Sequence, residues 1–393
     1  MYMLDTIKHH LSRVVLSTTL LAILYSCAEN RNHAFSFSIS NNESFPSMLF
    51  KDVSIIELDT TNFLLNVHRV EYINHTYYVL ANNGLFIYSD NGQYLGEISR
   101  KGRAEHEWLF LDTFYYSKRN QELCLIDCAS SKIMHFSMTG EFLFSKRIKK
   151  LQKYHVSYAL EGQEGILLCC ALSQDDSVIY AIIPNDDSSN VIELKSIPFK
   201  SEGAIQRISN HPISRICNNY TCIVPLDNQL QIIKDKNIVP GPIVPVDYPL
   251  PRRKQLKKYE HNFSIYSIAA YCLTNGLFCG FDGIFEVYGY TILTSFNQFY
   301  TIINNNDKVC WILSQQELLD EIGLPFDNIL SSTDDALLSV IDGFHLKNYR
   351  EYNNMEGYFL DKIEVYLSNP NPDYSHQYLI RYTLCDINEN NSF

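Results

Sequence analysis

The sequence predicts an all-β fold, and its composition and the spacing of its apolar runs both support this. Aromatic residues make up 13% of the 393 residues, with 27 Tyr and 22 Phe, and strands favour aromatic and β-branched side chains. From Val53 to Ile98, short apolar or alternating runs are separated by turn-forming pairs such as Asn91-Gly92, which are typical of tight hairpins. Hydrophobic residues make up 46% of the chain, enough for a large core.

This strand pattern repeats along the chain. Leu85–Leu95 aligns with Ile133–Leu143, and Gly92 then coincides with Gly140, an offset of 48 residues (140 minus 92). Repeats of about 40 to 50 residues made of four strands are typical of β-propeller blades. Looser copies are expected at residues 165–197, 214–246 and 263–303, and a last one at 309–341 together with 358–384.

The N-terminal segment has the features of an export signal. Lys8 and Arg13 precede the apolar stretch Val14–Leu24, which is too short to span a bilayer as a helix. The residues Leu24-Tyr25-Ser26-Cys27 resemble the bacterial lipobox, which implies that Cys27 is acylated and becomes the new N-terminus. The alternative is an ordinary signal peptide with an incidental cysteine. We expect a lipoprotein signal peptide at 1–26, the lipidated Cys27 with a polar tether at 27–50, and one propeller at 51–388.

Composition and motifs exclude several classes of function. A net charge of −12 argues against nucleic-acid binding, which needs a basic surface. The ten cysteines beyond Cys27 form no CxxC pair and the histidines no HExxH, so we expect no metal site and no cofactor. We expect these cysteines to be buried free thiols, with disulfides as the alternative because an oxidising envelope permits them. The sequence also contains no G-x-S-x-G motif, the pattern that is typical of the nucleophile of α/β-hydrolases.

Residues 55–143 resemble a known family, the six-bladed β-propeller lipoproteins of Bacteroides-type bacteria, which are related to NHL-repeat propellers. The matching features are Leu58-Asp59-Thr60-Thr61 after the first strand, the strand Leu85–Leu95, and the inter-blade segment Ser99–Trp108. Near the C-terminus, Asn369-Pro370 before the closing strand also fits. The resemblance implies six four-stranded antiparallel blades and a lipid anchor, and it implies little about the ligand.

The inter-blade segment carries the main candidate site, formed by Arg100, Gly102, Arg103, Glu107 and Trp108. In one interpretation, Arg103 and Glu107 lie at the mouth of the central channel and hold a polar ligand through charge-assisted hydrogen bonds. In the other, an Arg–Glu pair and the aromatic residue lock the junction between two blades. Catalytic histidines gathered from different blades would come from His106, His135, His155 and His211.

The sequence is compatible with two functions. The first is a non-enzymatic binding or scaffold module of the cell envelope for a glycan, a peptide or an envelope protein, lipid-anchored and expected at the outer membrane. The second is a propeller hydrolase or lyase that acts on an envelope or dietary polymer. Four or more polar side chains around one channel mouth, including a histidine or a carboxylate pair, would favour the enzyme.

Overall fold

Six sheets confirm the predicted propeller: five consist of four antiparallel strands, and the remaining one has four antiparallel strands with the short strand Ser38–Ile39 added in parallel at its edge. The computed structural model describes residues 38–39, 49–346 without 65, 83, 175–176, 186–189, 201–210, 257–264, 325 and 327, and residues 359, 366 and 376–386. The inner strands of neighbouring blades contact one another around most of the ring. Cys27 and the predicted signal peptide lie outside the described residues.

Blades one to five each take four consecutive strands, from the inner strand at the axis to the outer strand at the rim. Two strands precede them, β1 (Ser38–Ile39) and β2 (Phe50–Glu57). The blades then contain β3 (Val67–Ile73), β4 (Thr76–Ala81), β5 (Gly84–Ser89) and β6 (Tyr94–Glu97); β7 (Thr113–Ser117), β8 (Glu122–Asp127), β9 (Lys132–Phe136) and β10 (Phe142–Arg147); β11 (Tyr154–Glu161), β12 (Gly165–Leu172), β13 (Ser177–Pro184) and β14 (Ile192–Lys200); β15 (Ile213–Ile216), β16 (Asn219–Cys222), β17 (Gln229–Lys234) and β18 (Asn237–Ile243); and β19 (Phe281–Val287), β20 (Tyr290–Ser295), β21 (Phe299–Asn304) and β22 (Val309–Ser314).

The sixth blade joins the two ends of the chain. Its inner three strands are β23 (Ile329–Ser332), β24 (Ala336–Asp342) and β25 (Gln377–Leu384), and β2 from the N-terminal side is its outer strand. The antiparallel register runs from Phe50 opposite Leu384 to Glu57 opposite Tyr378. This pairing closes the ring with hydrogen bonds between strands more than three hundred residues apart.

The structure corrects two of the expected blade assignments and adds one strand whose blade the sequence pattern did not indicate. That strand, the run that begins at Val53, is the outer strand of the sixth blade. Val309–Ser314 is the outer strand of the fifth blade rather than part of the last one. The expected fifth blade at 263–303 begins instead with a helix, and its strands start only at Phe281. Apolar runs show that a strand is present, but the choice of partner depends on closure of the ring.

Short helices connect some of the blades. They are the 3-10 turn Leu151–Lys153 and the α-helices Arg253–Leu256, Ile265–Thr274 and Gln315–Ile322. Ser314 caps the last of these helices, because its side chain accepts from the backbone of Glu317 while the Glu317 carboxylate accepts from the Ser314 backbone. None of the helices in the described ranges is long and apolar enough to cross a membrane.

The core lies between the blades, because a strand that is buried on both faces directs alternate side chains to opposite neighbours. In β4, Tyr77 and Val79 pack against residues of the sixth blade. Tyr78 and Leu80 pack against residues of the second blade. Among the described residues, each pair of neighbouring blades buries an apolar cluster of this kind.

The two copies of the predicted repeat have matching turns. Gly92 and Gly140 both have positive φ, at 82° and 88°. Their backbone N–H groups donate to Ser89 and Ser137 respectively, each at 3.0 Å. Glycine occupies both positions because side-chain-bearing residues rarely adopt this conformation.

Truncation of Phe50 tests the role of ring closure. Phe50 is 2% exposed and packs edge-to-face on Phe326, with ring centroids 5.4 Å apart. We expect Phe50→Ala to lower the free energy of unfolding by about 3–5 kcal/mol. Phe63→Ala is the matched control, since Phe63 is 61% exposed and its loss should cost less than about 0.5 kcal/mol. Equal losses in urea denaturation would contradict a central role for this strand.

Candidate functional site

A cavity of about 910 Å³ opens at the mouth of the central channel. It lies where the inner strands end, and every blade contributes to its lining, through Glu71, Tyr116, Tyr158, Ser214, Glu286 and Asp334 in blade order. Inner strands converge on the axis of a propeller, so their ends bring side chains together that are far apart in the sequence. Concave sites with converging polar groups are the usual places of ligand binding.

Arg69 lies beneath this cavity. It precedes Glu71 by two residues on β3 and therefore lies on the same side of the strand. Its Nε donates to Glu71 Oε1 at 2.8 Å, and its Nη1 donates to the carbonyl of Ala159 at 2.9 Å. The guanidinium also lies over the rings of Tyr158 and Phe114, at 4.3 and 5.3 Å from their centroids. Arg69 is only 3% exposed, and its contacts tie the first blade to the second and third.

His211 continues this network into the fourth and fifth blades. Its Nδ1 lies 2.7 Å from the carbonyl of Ile284, which can only accept, so Nδ1 carries the proton. Its Nε2 then accepts from the Tyr158 hydroxyl at 2.6 Å. Burial, together with the positive charge of Arg69, lowers the pKa of His211 to about 3. The imidazole is therefore neutral, and both of its nitrogens are engaged.

Charges at the mouth are balanced. Arg381 contacts both carboxylate oxygens of Asp335, at 2.9 and 2.7 Å, and lies over the ring of Tyr72. Glu286 accepts from the backbone of Cys217 at 3.2 Å, and its burial raises the pKa of the carboxyl group. The basic residues in and beneath the lining match the acidic ones in number: Arg69, Lys118, Arg215 and Arg381 against Glu71, Glu286, Asp334 and Asp335.

The predicted site at Arg100–Trp108 does not line this cavity. It connects β6 to the start of β7, and therefore lies on the face opposite the mouth. The Arg100 Nε donates to Glu107 Oε1 at 2.9 Å, and Glu107 Oε2 accepts from the backbone of Ala104 at 3.0 Å. Trp108 is 5% exposed and packs between the first two blades.

This geometry supports the blade-junction interpretation of the loop. Gly102 lies so close to the Glu107 carboxylate that a Cβ at this position would meet Oε2 at 2.0 Å. Arg103 is exposed and lines a second cavity of about 660 Å³ together with Lys132 and Arg147. Binding of a ligand by the loop stays a prediction.

Sequence reasoning singled out few of the residues at the mouth. Of the four candidate histidines, His211 lines the cavity, while His106 is exposed on the opposite face. Arg69 and Tyr158 were not singled out. The available signal was a charged pair at alternating positions, Arg69 and Glu71, within a strand of otherwise apolar character.

All ten cysteines in the described part of the chain are free thiols, as expected: Cys124, Cys128, Cys169, Cys170, Cys217, Cys222, Cys272, Cys279, Cys310 and Cys385. Eight of them are buried. Burial raises the pKa of thiols such as Cys169, Cys279 and Cys310 to about 12. These cysteines are therefore protonated and poor nucleophiles at neutral pH.

Replacement of Arg69 tests whether the buried pair holds the inner strands together. Arg69→Met leaves the Glu71 carboxylate without its partner and should lower the free energy of unfolding by about 3 kcal/mol. Arg100→Met is the matched control, because the Arg100 side chain is 76% exposed and exposed pairs contribute little. A loss for Arg69→Met no greater than for the control in urea denaturation would count against the network.

The state of His211 predicts a pH dependence of stability. Its folded pKa of about 3 lies below the ordinary value of 6.5, so the unfolded chain takes up the proton first. The contribution of His211 to the free energy of unfolding is therefore complete above pH 6.5. It is lost as the pH falls below 6.5, by about 1.4 kcal/mol per pH unit. The stability gap between wild type and His211→Gln should narrow from pH 7 to pH 5 in urea denaturation. A gap that stays constant would show that His211 is not buried neutral.

Comparison with known proteins agrees with this architecture. A sequence profile of the family described as 6-bladed beta-propeller matches residues 27–273. The crystal structure of an exported protein from Bacteroides fragilis NCTC 9343 is 17% identical and superposes with a TM-score of 0.63, over 89% of this chain and 99% of that one. No curated protein matches the chain.

Two further solved structures are more distant. A member of the DUF4221 family from Bacteroides vulgatus is 12% identical with a TM-score of 0.47, over 86% of this chain and 97% of that one. Virginiamycin B lyase from Staphylococcus aureus is 11% identical with a TM-score of 0.43, over 73% of this chain and 82% of that one. Similarity this low carries no argument about activity. Since the family profile covers more than half of the chain, and the resemblance to propellers of Bacteroides-type bacteria is confirmed, the protein belongs to this family of six-bladed β-propellers.

Proposed function

We propose that this protein is a non-enzymatic binding module of the cell envelope, and that it holds an uncharged polar ligand, a glycan or peptide segment, at the channel mouth. The observation that carries the proposal is the cavity of about 910 Å³ to which all six blades contribute. It lies above a hydrogen-bonded network of the buried side chains Arg69, Tyr158 and His211. Because this network already holds its side chains in place, less conformational entropy is lost when a ligand binds above it.

The chemistry of the lining favours an uncharged ligand. Hydroxyl and amide groups are offered by Ser214, Asn218 and Thr333, and aromatic rings by Tyr72 and Tyr116. Because basic and acidic residues balance, a strongly charged ligand would meet as much repulsion as attraction. Sugars and peptide backbones supply hydroxyl, amide and carbonyl groups that such a surface can pair.

The mouth has more than four polar side chains, and a histidine is among them. Such an arrangement was predicted to favour an enzyme. Their pairing favours binding instead. His211 is neutral with both nitrogens engaged, and Arg69 is held by Glu71. A general acid or base needs a pKa near the working pH, whereas His211 has a pKa of about 3. The hydrogen-bonded Tyr158–His211 pair is the observation that keeps a hydrolase or lyase as the second candidate.

We also propose attachment to the envelope through an acylated Cys27. The support is the N-terminal sequence, in which two basic residues, a short apolar stretch and Ser26-Cys27 follow in the order of a lipoprotein signal. Several acyl chains on one residue give firm anchoring. The outer membrane is the proposed location. Protease treatment of intact cells tests display on the surface, because a surface domain is cleaved and a periplasmic domain survives until lysis.

Binding can be measured together with catalysis in the same samples. The purified protein is mixed with neutral oligosaccharides, uronic-acid oligosaccharides or peptides, and the melting temperature and the masses of products are recorded. A ligand at 100 times its dissociation constant stabilises the fold by about 2.7 kcal/mol, so we expect a raised melting temperature without new products. New masses that disappear in Tyr158→Phe would support the hydrolase or lyase instead.

Two exposed arginines on opposite faces give a matched control. Arg215 lies at the rim of the mouth, and Arg103 lies on the Arg100–Trp108 loop. We expect Arg215→Ala to reduce the ligand-induced shift and Arg103→Ala to leave it unchanged. The reverse result would locate the ligand on the opposite face and overturn the proposed site.

A further inference from the structure

A second group of chemically reactive side chains lies on the second blade, away from the mouth cavity. Glu122, Cys124 and His135 each direct one donor atom to the same point, and these atoms all lie within 4.8 Å of one another. The His135 Nδ1 is 2.9 Å from Glu122 Oε2 and 3.4 Å from Cys124 Sγ. The sequence showed no metal motif here, because the three residues come together only across paired strands.

Sheet register explains how they meet. Cys124 on β8 lies directly opposite His135 on β9, so their side chains project from the same side of the sheet. Glu122 precedes Cys124 by two residues on β8 and therefore projects to that side as well. The spacing of this group is fixed by regular backbone pairing and not by a loop.

A shared cation would engage the three donor atoms together. The His135 Nδ1 either carries a proton or offers a lone pair. When it carries the proton, it donates to the Glu122 carboxylate and the Cys124 sulfur keeps only weak hydrogen bonds. A cation at the common point would instead bind the nitrogen lone pair, the carboxylate and the sulfur at once.

The two distances from His135 Nδ1 are close to those of a tetrahedral ion. Zinc binds imidazole nitrogen and carboxylate oxygen at about 2.0–2.2 Å and thiolate sulfur at about 2.3 Å. Tetrahedral angles then place neighbouring donor atoms about 3.3–3.6 Å apart. The separations of 2.9 and 3.4 Å are within a few tenths of an ångström of these values, so small side-chain movements would suffice.

Neighbouring side chains hold the ligands in place. The ring of Phe144 stacks on His135 with centroids 4.1 Å apart and an interplanar angle of 14°. Tyr115 lies opposite Cys124 on β7 and is buried in the same apolar cluster. Partners of this kind orient metal ligands and raise affinity. Cys124 is fully buried, while the side chains of His135 and Glu122 remain 11% and 16% exposed, which leaves a path for an ion.

We propose that Glu122, Cys124 and His135 form a zinc site. The combination of thiolate, imidazole and carboxylate suits zinc and excludes calcium and magnesium, which prefer oxygen ligands. Three protein ligands leave a fourth position for water or for a donor atom of a bound molecule. The site adds a metal function on the second blade and does not depend on ligand binding at the mouth.

Cobalt titration tests the site, because cobalt reports on its ligands by colour. The full-length protein is stripped with a chelator and titrated with Co²⁺, and Zn²⁺ is then added in competition. We expect one equivalent to bind, with a thiolate-to-cobalt charge-transfer band and tetrahedral d–d bands, and zinc to abolish both. Cys124→Ser should lose the charge-transfer band. Glu122→Gln is a nearly isosteric change of a side chain that is 16% exposed, and it should weaken zinc binding by at least about tenfold.

Cys170→Ser is the matched control, because Cys170 is also fully buried and its thiol donates to the carbonyl of Ile179. It should bind cobalt and zinc as wild type does. Absence of the band in wild type, persistence of the band in Cys124→Ser, or equal zinc affinity in wild type and Glu122→Gln would each overturn the proposal. Circular dichroism of the metal-free variants confirms that a loss of binding is not a loss of fold.

Discussion

Closure of the ring by β2 and β25 is the constraint on which the rest of the structure depends. An open chain of blades would leave the first and sixth blades with unpaired apolar faces, and such faces are costly to expose. The pairing from Phe50 to Glu57 covers the edge of the sixth blade, and the cluster around Tyr77 and Leu338 then joins it to the first. Only in the closed ring do all the inner strands converge on one axis.

Convergence creates a second, polar interior beside the apolar one. The clusters between blades are aromatic and aliphatic, whereas the axis holds Arg69, Tyr158 and His211 in a connected network. Replacing a buried ion pair by apolar residues is often neutral or stabilising, so the ring does not need Arg69 and Glu71 for stability alone. Their position directly beneath the mouth cavity is consistent with a role in shaping a binding surface.

Local features of the sequence predicted the repeating unit well. Gly92 and Gly140 have the same turn geometry in two successive blades, because a positive φ is a property of the residue and its neighbours. The membership of strands in blades was predicted less well. The run from Val53 and the strand from Val309 have normal strand patterns, but their partners are set by where the ring starts and ends.

The sequence by itself therefore determined the all-β class, the four-stranded repeat and the resemblance to six-bladed propellers, since alternation, turn residues and period are local in the chain. Tertiary structure decided which residues meet. Tyr158 and His211 are 53 positions apart, yet they share a hydrogen bond, and Glu122 reaches His135 only through the register of two strands. Such contacts depend on ring closure and strand pairing, and no short motif encodes them.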